Sequence, residues 1–394
     1  MVTPRGWHSC CPCTGIQGCV SIPPRNPLPE ELLEQATVPG GPTARFWGDA
    51  LPANIDLRID ILKEQFGATA DKDVYGRDFN YLSISGGGAD GAFGAGLLKG
   101  WSESGTRPEM WVVTGISTGA LIAPFAFIGS DYDDELEDLY TTMSTSDLVK
   151  KRSLIAGLTS DAFGDTSPMR EVLRKHIDAE MIEEITQEYA KGRRLLIGTT
   201  NLDAKRPVIW NIGAIAAVGT DESAQLIRDV ILASASIPGM FPPVRITVRI
   251  GDEEYDELHV DGGVSSQVFL YPAQVNLQVG AAKLGITSDQ TLYIIRNGIL
   301  EPRWSEVKPK VAPVALTSIY TLIRTQGMGD LYRIYLGAKR DEMSFRLAYI
   351  PADFDVEPQE DFDPDYMREL FDLAYELSRD GYDWATAPPG IALP

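Results

Sequence analysis

The sequence predicts an α/β fold, because it contains two successive units of strand, glycine-containing turn and helix. Residues 79–85 form a mostly apolar strand that leads into a run of glycines and then into the helical stretch 92–102. A second apolar strand, 110–114, leads into another glycine-flanked turn and a further apolar helix. Strands that alternate with helices in this way are typical of a mostly parallel central sheet.

Composition and charge limit the functions that the chain can have. With 394 residues, 44% hydrophobic and 23% charged, it is long and apolar enough to bury a large core. The formal net charge of −21 repels phosphate backbones, so nucleic acid is not predicted as a partner. No apolar run reaches the roughly 18 residues of a membrane-spanning helix, so no transmembrane segment is predicted either.

The last part of the chain is predicted to be helical. Residues 311–336 carry apolar residues at helical spacing, and a later helix opens at Asp363 and Pro364 and closes at Gly381. This favours a helical C-terminal region appended to the α/β domain. The predicted division is a leader and N-terminal arm over 1–78, the main domain over 79–300, and a C-terminal helical cap over 301–394 packed on that same domain.

All the cysteines lie in the first nineteen residues, which excludes a disulfide framework in the rest of the chain. They are Cys10, Cys11, Cys13 and Cys19. Their spacing with His8 is too tight for the usual paired zinc ligands, so no metal site is predicted. Residues 16–19 weakly resemble a lipobox, in which Cys19 would carry a lipid anchor, but no apolar signal segment precedes them. A disordered leader is the alternative, and both a soluble and a peripherally membrane-associated protein are left open.

The first glycine turn has the spacing of a dinucleotide-binding loop, at Gly86, Gly88 and Gly91. Such a loop needs an acidic residue at the end of the next strand, where it holds a ribose. The strand 110–114 ends instead in a glycine, and Glu109 stands at its other end. The sequence therefore predicts no nucleotide cofactor.

The second turn has the pattern G-x-S-x-G of a nucleophile elbow, with Gly115, Ser117 and Gly119. A serine on a tight turn between strand and helix projects its hydroxyl away from the backbone, and the flanking glycines allow neighbouring elements to approach closely. The following helix places the positive end of its dipole beside the attacking oxygen. Ser117 is the predicted nucleophile, and the alternative is a small residue in a packed turn.

The glycine run Gly86, Gly87 and Gly88 is then a candidate oxyanion hole. Successive glycines leave backbone N–H groups unshielded, and such donors stabilise the negative oxygen of a tetrahedral intermediate. The alternative is that these glycines only form a tight turn.

A serine nucleophile needs a base, and two residues of one predicted strand are the candidates. Asp261 ends that strand before two glycines, where its carboxylate would lie at the carboxyl edge of the sheet. His259 shares its face two residues earlier and is more often a hydrogen-bonded structural residue in such a place. His176 lies beside basic residues near a helix end, which favours a solvated role. Asp261 is preferred, and His259 is kept as the less favoured possibility.

These motifs together resemble those of the patatin-like phospholipases. The segments that carry the resemblance, in family order, are 86–91, 115–119 and 261–263, and 233–243 resembles the Ala/Ser-rich helix end and Pro turn of the family. The resemblance covers about 79–298. It implies a three-layer α/β/α core and a catalytic dyad of Ser117 and Asp261 without a histidine, with the oxyanion hole in the glycine loop.

Six residues lie within or beside these motifs and support them, namely Asp90, Gly91, Gly115, Gly119, Gly262 and Gly263. Asp90 departs from the family, which commonly has Lys or Arg there, and this predicts weaker recognition of anionic head groups.

The function expected from the motifs and the resemblance is hydrolysis of carboxylic esters of lipids at a membrane or micelle surface, without metal or organic cofactor. Two alternatives stay open: acyl transfer by the same dyad, and a lipid-binding protein that no longer turns over.

Overall fold

The computed structural model describes residues 24–68, 76–148, 150–151, 164–302 and 304–391. His8 and the four cysteines, among them the predicted anchor position Cys19, lie outside the described residues. No helix within these ranges is both long enough and apolar enough to cross a membrane.

A large sheet forms the centre of the molecule. The strands are β1 (Arg45–Trp47), β2 (Phe79–Ile84), β3 (Val112–Gly115), β4 (Lys150–Lys151), β5 (Gly164–Asp165), β6 (Arg194–Asn201), β7 (Arg206–Asn211), β8 (Val244–Ile250), β9 (Glu253–Asp261), β10 (Gln290–Ile299) and β11 (Ser344–Ile350). The main sheet has the order β1-β7-β6-β3-β2-β10-β11, with β9 paired to β6 and β8 to β9, while β4 and β5 form a separate pair. The five strands from β6 to β11 in this order are parallel, which confirms the predicted mostly parallel centre.

Two strands share one edge of β6 and run towards each other along it. β3 pairs in parallel with the first half of β6 and ends where Gly115 faces Ile197. β9 pairs antiparallel with the second half and ends where Asp261 faces Thr199. Asp261 ends its strand before two glycines, as predicted, and it reaches the end of β3 from the opposite direction. The register brings the ends of β3 and β9 together.

Helices cover both faces of the sheet. They are α1 (Ile55–Ala68), α2 (Gly91–Glu103), α3 (Thr118–Ile128), α4 (Asp133–Thr142), α5 (Thr145–Leu148), α6 (Ser167–His176), α7 (Ala179–Ala190), α8 (Ile212–Ala216), α9 (Asp221–Ser234), α10 (Leu277–Leu284), α11 (Val311–Arg340) and α12 (Pro364–Ser378). Short 3₁₀ turns lie at Glu30–Leu32, Gly41–Thr43, Gly88–Asp90, Ser130–Tyr132 and Gly262–Val264.

Alternating residues of the central strands pack into two different cores. On β2, Leu82 and Ile84 join the core that contains α2, α3 and α9, whereas Phe79 and Tyr81 join the core that contains parts of α1, α10 and α11. Side chains of a strand point alternately to its two faces, so each face carries its own helical layer. The three-layer α/β/α architecture is confirmed.

The C-terminal region is largely helical, as predicted, but it also completes the sheet. α11 begins at Val311 as expected, and Asp363 caps α12 by accepting the N–H of Asp365 at 3.0 Å. Between these helices, β11 pairs with β10 in parallel. This strand was not predicted from the sequence.

Candidate active site

Ser117 lies on a sharp turn between β3 and α3. Its backbone has φ 55° and ψ −125°, which a residue with a side chain rarely adopts and which the surrounding structure must hold in place. Its N–H donates to the Ser234 hydroxyl at 3.0 Å, and that hydroxyl donates to the Gly198 carbonyl at 2.7 Å. These hydrogen bonds hold the turn in place from the end of α9. The sharp turn between a strand and a helix is the geometry expected of a nucleophile elbow.

The glycines around this turn lie where the chain passes close to itself. A Cβ added at any of four of them would lie 2.1 to 2.5 Å from an atom of a neighbouring segment; they are Gly91, Gly115, Gly119 and Gly262. At Gly119 the nearest atom is the carbonyl oxygen of Ile84, at the end of β2. A larger residue would push α3 away from the sheet and move Ser117 with it.

Asp261 is buried at the end of β9, beside the turn that carries Ser117. Its Oδ1 accepts the Gly263 N–H at 2.7 Å. No cationic side chain among the described residues lies within 4.0 Å of it. Burial raises the pKa of Asp261 to about 7, although the adjacent Ser117 hydroxyl and the Gly263 N–H act in the opposite direction. A carboxyl group in this range can exchange a proton near neutral pH.

The glycine loop lies on the other side of Ser117. The Gly86 N–H donates to the Gln267 carbonyl at 3.1 Å, so this amide is already engaged. The N–H groups of Gly87 and Gly88 have no acceptor within the described part of the chain. Of the three amides predicted to form an oxyanion hole, only those of Gly87 and Gly88 are therefore left to donate to a substrate oxygen. A Cβ at Gly87 would lie 2.2 Å from the Asn297 carbonyl oxygen, so the loop can approach β10 this closely only with glycine.

Two residues at the end of β10 hold the glycine loop in position, and the sequence did not single them out. Arg296 donates to the Ser85 hydroxyl at 2.9 Å and to the Gly86 carbonyl at 2.8 Å. Asn297 donates its side-chain amide to the Ser85 carbonyl at 2.9 Å. Burial lowers the pKa of Arg296. Polar residues at the carboxyl end of a predicted parallel strand were the signal that could have found both.

His259 has its own partners, away from Ser117. Its Nδ1 lies 2.9 Å from the Thr199 hydroxyl, which also accepts the Trp210 N–H at 2.8 Å. Its Nε2 lies 3.1 Å from Glu257. Burial lowers the pKa of His259, and the neighbouring Glu257 opposes that shift. These contacts are those of a neutral structural histidine.

The remaining histidine of the described chain, His176, lies 2.5 Å from Glu135 through its Nδ1. Neither it nor His259 is among the residues that line the cavity at Ser117.

Ser117 and Asp261 line one cavity of about 660 Å³. Its wall also contains Gly87, Gly88, Asp90, Met240, Gln267, Arg296, Asn297, Tyr320, Arg324 and Tyr366. Asp90 accepts the Tyr366 hydroxyl at 2.6 Å, and carboxylates of the loop before α12 also line the cavity. A second cavity of about 600 Å³, near Phe269, contains neither Ser117 nor Asp261.

A small pocket of about 40 Å³ also adjoins Ser117. Apolar side chains form most of its wall: Leu121, Leu148, Met169, Leu232, Ile237, Phe241 and Phe362. Ser117 therefore lies between a wide cavity with charged groups and a narrow apolar pocket.

Comparison with known proteins gives a family match and two distant structures. Residues 82–273 match the family described as patatin-like phospholipase. No curated protein matches the chain.

One solved structure with distant similarity is the crystal structure of VipD from Legionella pneumophila, whose sequence is 12% identical to this one. The TM-score is 0.36, and the match covers 77% of this chain and 71% of that one. Human GIVD cytosolic phospholipase A2 is 12% identical, with a TM-score of 0.31 over 82% of this chain and 53% of that one. The family match contains the turn at Ser117, the glycine loop and Asp261. This chain thus contains, over residues 82–273, a segment that matches the patatin-like phospholipase family.

Proposed function

We propose that this chain hydrolyses carboxylic esters of lipids through an acyl-enzyme on Ser117, with Asp261 as the proton acceptor. The family match supports a lipid hydrolase at the level of the family. The observation that carries the proposal is the meeting of three groups in one cavity: a serine on a strained turn, a buried carboxyl group without a cation, and two free glycine amides.

In the first half of the reaction, Asp261 takes the proton of the Ser117 hydroxyl as that oxygen attacks the ester carbonyl carbon. The carbonyl electron pair moves to its oxygen, which the N–H groups of Gly87 and Gly88 stabilise; one such donor contributes about 10²–10³ in rate. When the carbonyl re-forms, the bond to the leaving alcohol breaks, and the alcohol takes the proton from Asp261.

In the second half, Asp261 takes a proton from water as the water oxygen attacks the acyl carbon. The bond from that carbon to Ser117 breaks, the proton returns to the serine oxygen, and a fatty acid is released. One carboxyl group thus acts as base and acid in turn, which a pKa near 7 allows.

The two spaces beside Ser117 support a lipid ester as the substrate. We propose that the ester lies in the wide cavity of about 660 Å³ and that only the carbonyl end of its acyl chain points towards the narrow apolar pocket with Leu232 and Phe241 in its wall, because a pocket of about 40 Å³ cannot hold a whole acyl chain.

The chain organisation that supports this activity is also a proposal: 79–300 as the catalytic domain, 1–78 as leader and arm, and 301–394 as a cap on the same domain. β1 and β11, from the two outer segments, both pair with strands of the central sheet.

The test is covalent labelling by a fluorophosphonate, together with hydrolysis of p-nitrophenyl octanoate. We expect the parent chain to be labelled at Ser117 and to hydrolyse the ester, and Ser117→Ala to lose both properties. Ser146→Ala is the matched control, because Ser146 is exposed and the hydrogen bond of its hydroxyl in the described chain is to the nearby Ser144.

Each outcome bears on a different alternative. A parent chain that neither reacts nor turns over would contradict the proposal and favour a silent lipid-binding protein. Labelled protein that releases the acyl group to added glycerol but not to water would favour the transferase.

A further inference from the structure

Exposed apolar side chains are concentrated in one segment of this molecule. Of the fifteen large hydrophobic residues with exposed side chains in the described chain, seven lie between 304 and 322. They are Trp304, Val307, Val311, Val314, Ile319, Tyr320 and Leu322. Trp304 is 89% exposed, Val311 90% and Leu322 69%. Scattered single residues of this kind are ordinary on protein surfaces, whereas a contiguous group marks a contact surface.

The first half of α11 has an unusual composition for a solvated helix. Residues 311–323 contain no charged side chain, in a chain that is 23% charged. The second half of the same helix is different, because Leu331, Tyr335 and Ala338 are buried in the core. α11 is therefore anchored at one end and presents an uncharged end to its surroundings.

The exposed apolar residues form a stripe along one side of the helix. At 3.6 residues per turn, four of them fall within an arc of about 140°. They are Val311, Val314, Ile319 and Leu322, which we call the outer stripe. Tyr320, Ile323 and Arg324 lie on the other side of the helix and line the cavity that contains Ser117. One side of α11 thus faces the cavity, and the opposite side carries the outer stripe.

We propose that the outer stripe docks on the uncharged part of a lipid surface, with α11 lying in the plane of the interface. A helix that buries an exposed, uncharged apolar side at the boundary of a lipid layer is stabilised there by the apolar area removed from water. Trp304, which precedes the helix and is 89% exposed, is a residue type that favours such interfaces.

The position of the outer stripe favours lipid over other occupants. The helix that carries it is also a wall of the cavity, so a lipid layer against the stripe would bring ester groups beside the cavity. This part of the inference rests on the proposed function. With a net charge of −21, the protein has no overall attraction to anionic lipid. Apolar insertion, rather than charge, is the driving force, and the docking should hardly depend on salt.

The test is flotation of the full chain with phosphatidylcholine vesicles, using Ser117→Ala to prevent lipid turnover. We expect binding at both 0.1 and 0.5 M NaCl. Adding Val311→Ser and Leu322→Ser should lower the bound fraction at least about tenfold, because two exposed apolar side chains leave the interface. Leu202→Ser with Leu377→Ser is the matched control, since both residues are exposed and lie outside the segment.

A kinetic comparison separates this inference from the proposed function. In the active chain, the stripe substitutions should leave hydrolysis of soluble p-nitrophenyl butyrate within about twofold and reduce hydrolysis of vesicle lipid about tenfold. Neither substituted residue lines the cavity. If the parent chain hydrolyses neither substrate but its flotation still depends on the stripe, the proposed function is contradicted and the docking inference is not.

Three outcomes would overturn the inference. The first is that the stripe variant floats as well as the parent chain. The second is loss of flotation at 0.5 M NaCl, which would indicate that charge drives the binding. The third is a dimer in sedimentation equilibrium that the stripe substitutions dissociate, with no binding to vesicles, which would assign the stripe to a second copy of the chain.

Discussion

Asp261 and Glu257 lie on the same strand, both are buried carboxyl groups, and their surroundings are opposite. Arg45 donates to both oxygens of Glu257, at 2.5 and 3.0 Å, and His259 lies against it. Burial alone would raise the pKa of Glu257, but the bonds from His259 and Arg45 and the charge of Arg45 lower it to about 2. Asp261 has no such cation, and its pKa is raised to about 7. Burial thus produces a base for neutral pH only where the charge is left uncompensated.

The largest effect expected from this difference is on catalysis. Asp261→Asn removes the proposed proton acceptor and should lower kcat for a soluble ester at least about a thousandfold, as losses in other serine hydrolases suggest. His259→Gln removes the other candidate base of β9 but can keep a hydrogen bond to Thr199 or Glu257, and kcat should stay within about fivefold. Steady-state kinetics on both variants, with folding checked by circular dichroism, is the measurement.

The reverse result would exchange the two roles. If His259→Gln is inactive and folded while Asp261→Asn retains activity, then His259, beside Glu257, is the base. Asp261 would then not be the proton acceptor, in spite of its raised pKa.

The next effect is on stability, where the two carboxyl groups should respond in opposite directions. Asp261 has a folded-state pKa above its ordinary value, so its ionisation opposes folding increasingly as the pH rises towards about 7. Asp261→Asn should therefore stabilise the chain by on the order of 4 kcal/mol at pH 8.5 and by about half of that at pH 5.5.

Glu257 has a folded-state pKa below its ordinary value, so its stabilisation is present above about pH 4.5 and is lost as the pH falls through about 2. Glu257→Gln leaves the largely buried Arg45 without its carboxylate and should destabilise the chain by about 3 kcal/mol at pH 7. Urea unfolding of both variants measures these changes. Destabilisation by Asp261→Asn at pH 8.5 would mean that Asp261 is compensated after all.

The sequence predicted the local parts of the site and missed those made by distant pairing. The elbow at Ser117 was predictable because strand, turn and helix are consecutive in the chain. The engagement of Gly86 by the Gln267 carbonyl and the support of the loop by Arg296 depend on segments about 180 and 210 residues later, whose placement no local pattern encodes.

The strand that carries Asp261 illustrates the same limit. Its existence and its end were predicted, but its antiparallel direction was not, because register along β6 is decided by tertiary packing. The C-terminal β11 was missed for a similar reason, since it becomes a strand by pairing with β10.

The smallest effect is the pH dependence of catalysis. It tests most directly whether Asp261, unlike Glu257, titrates near neutral pH. In the proposed mechanism Asp261 must be ionised to accept the Ser117 proton, so kcat/KM for an uncharged soluble ester should rise about tenfold per pH unit below 7 and level off above it. A carboxylate with an ordinary pKa would give a flat profile around pH 7. A histidine, however, would also give a profile that rises just below pH 7. His259→Gln separates the two, because the midpoint should stay near 7 if Asp261 is the titrating group. A midpoint that disappears in this variant would assign the titration to His259, and a flat profile in the parent chain would mean that water reaches Asp261 and restores its ordinary pKa.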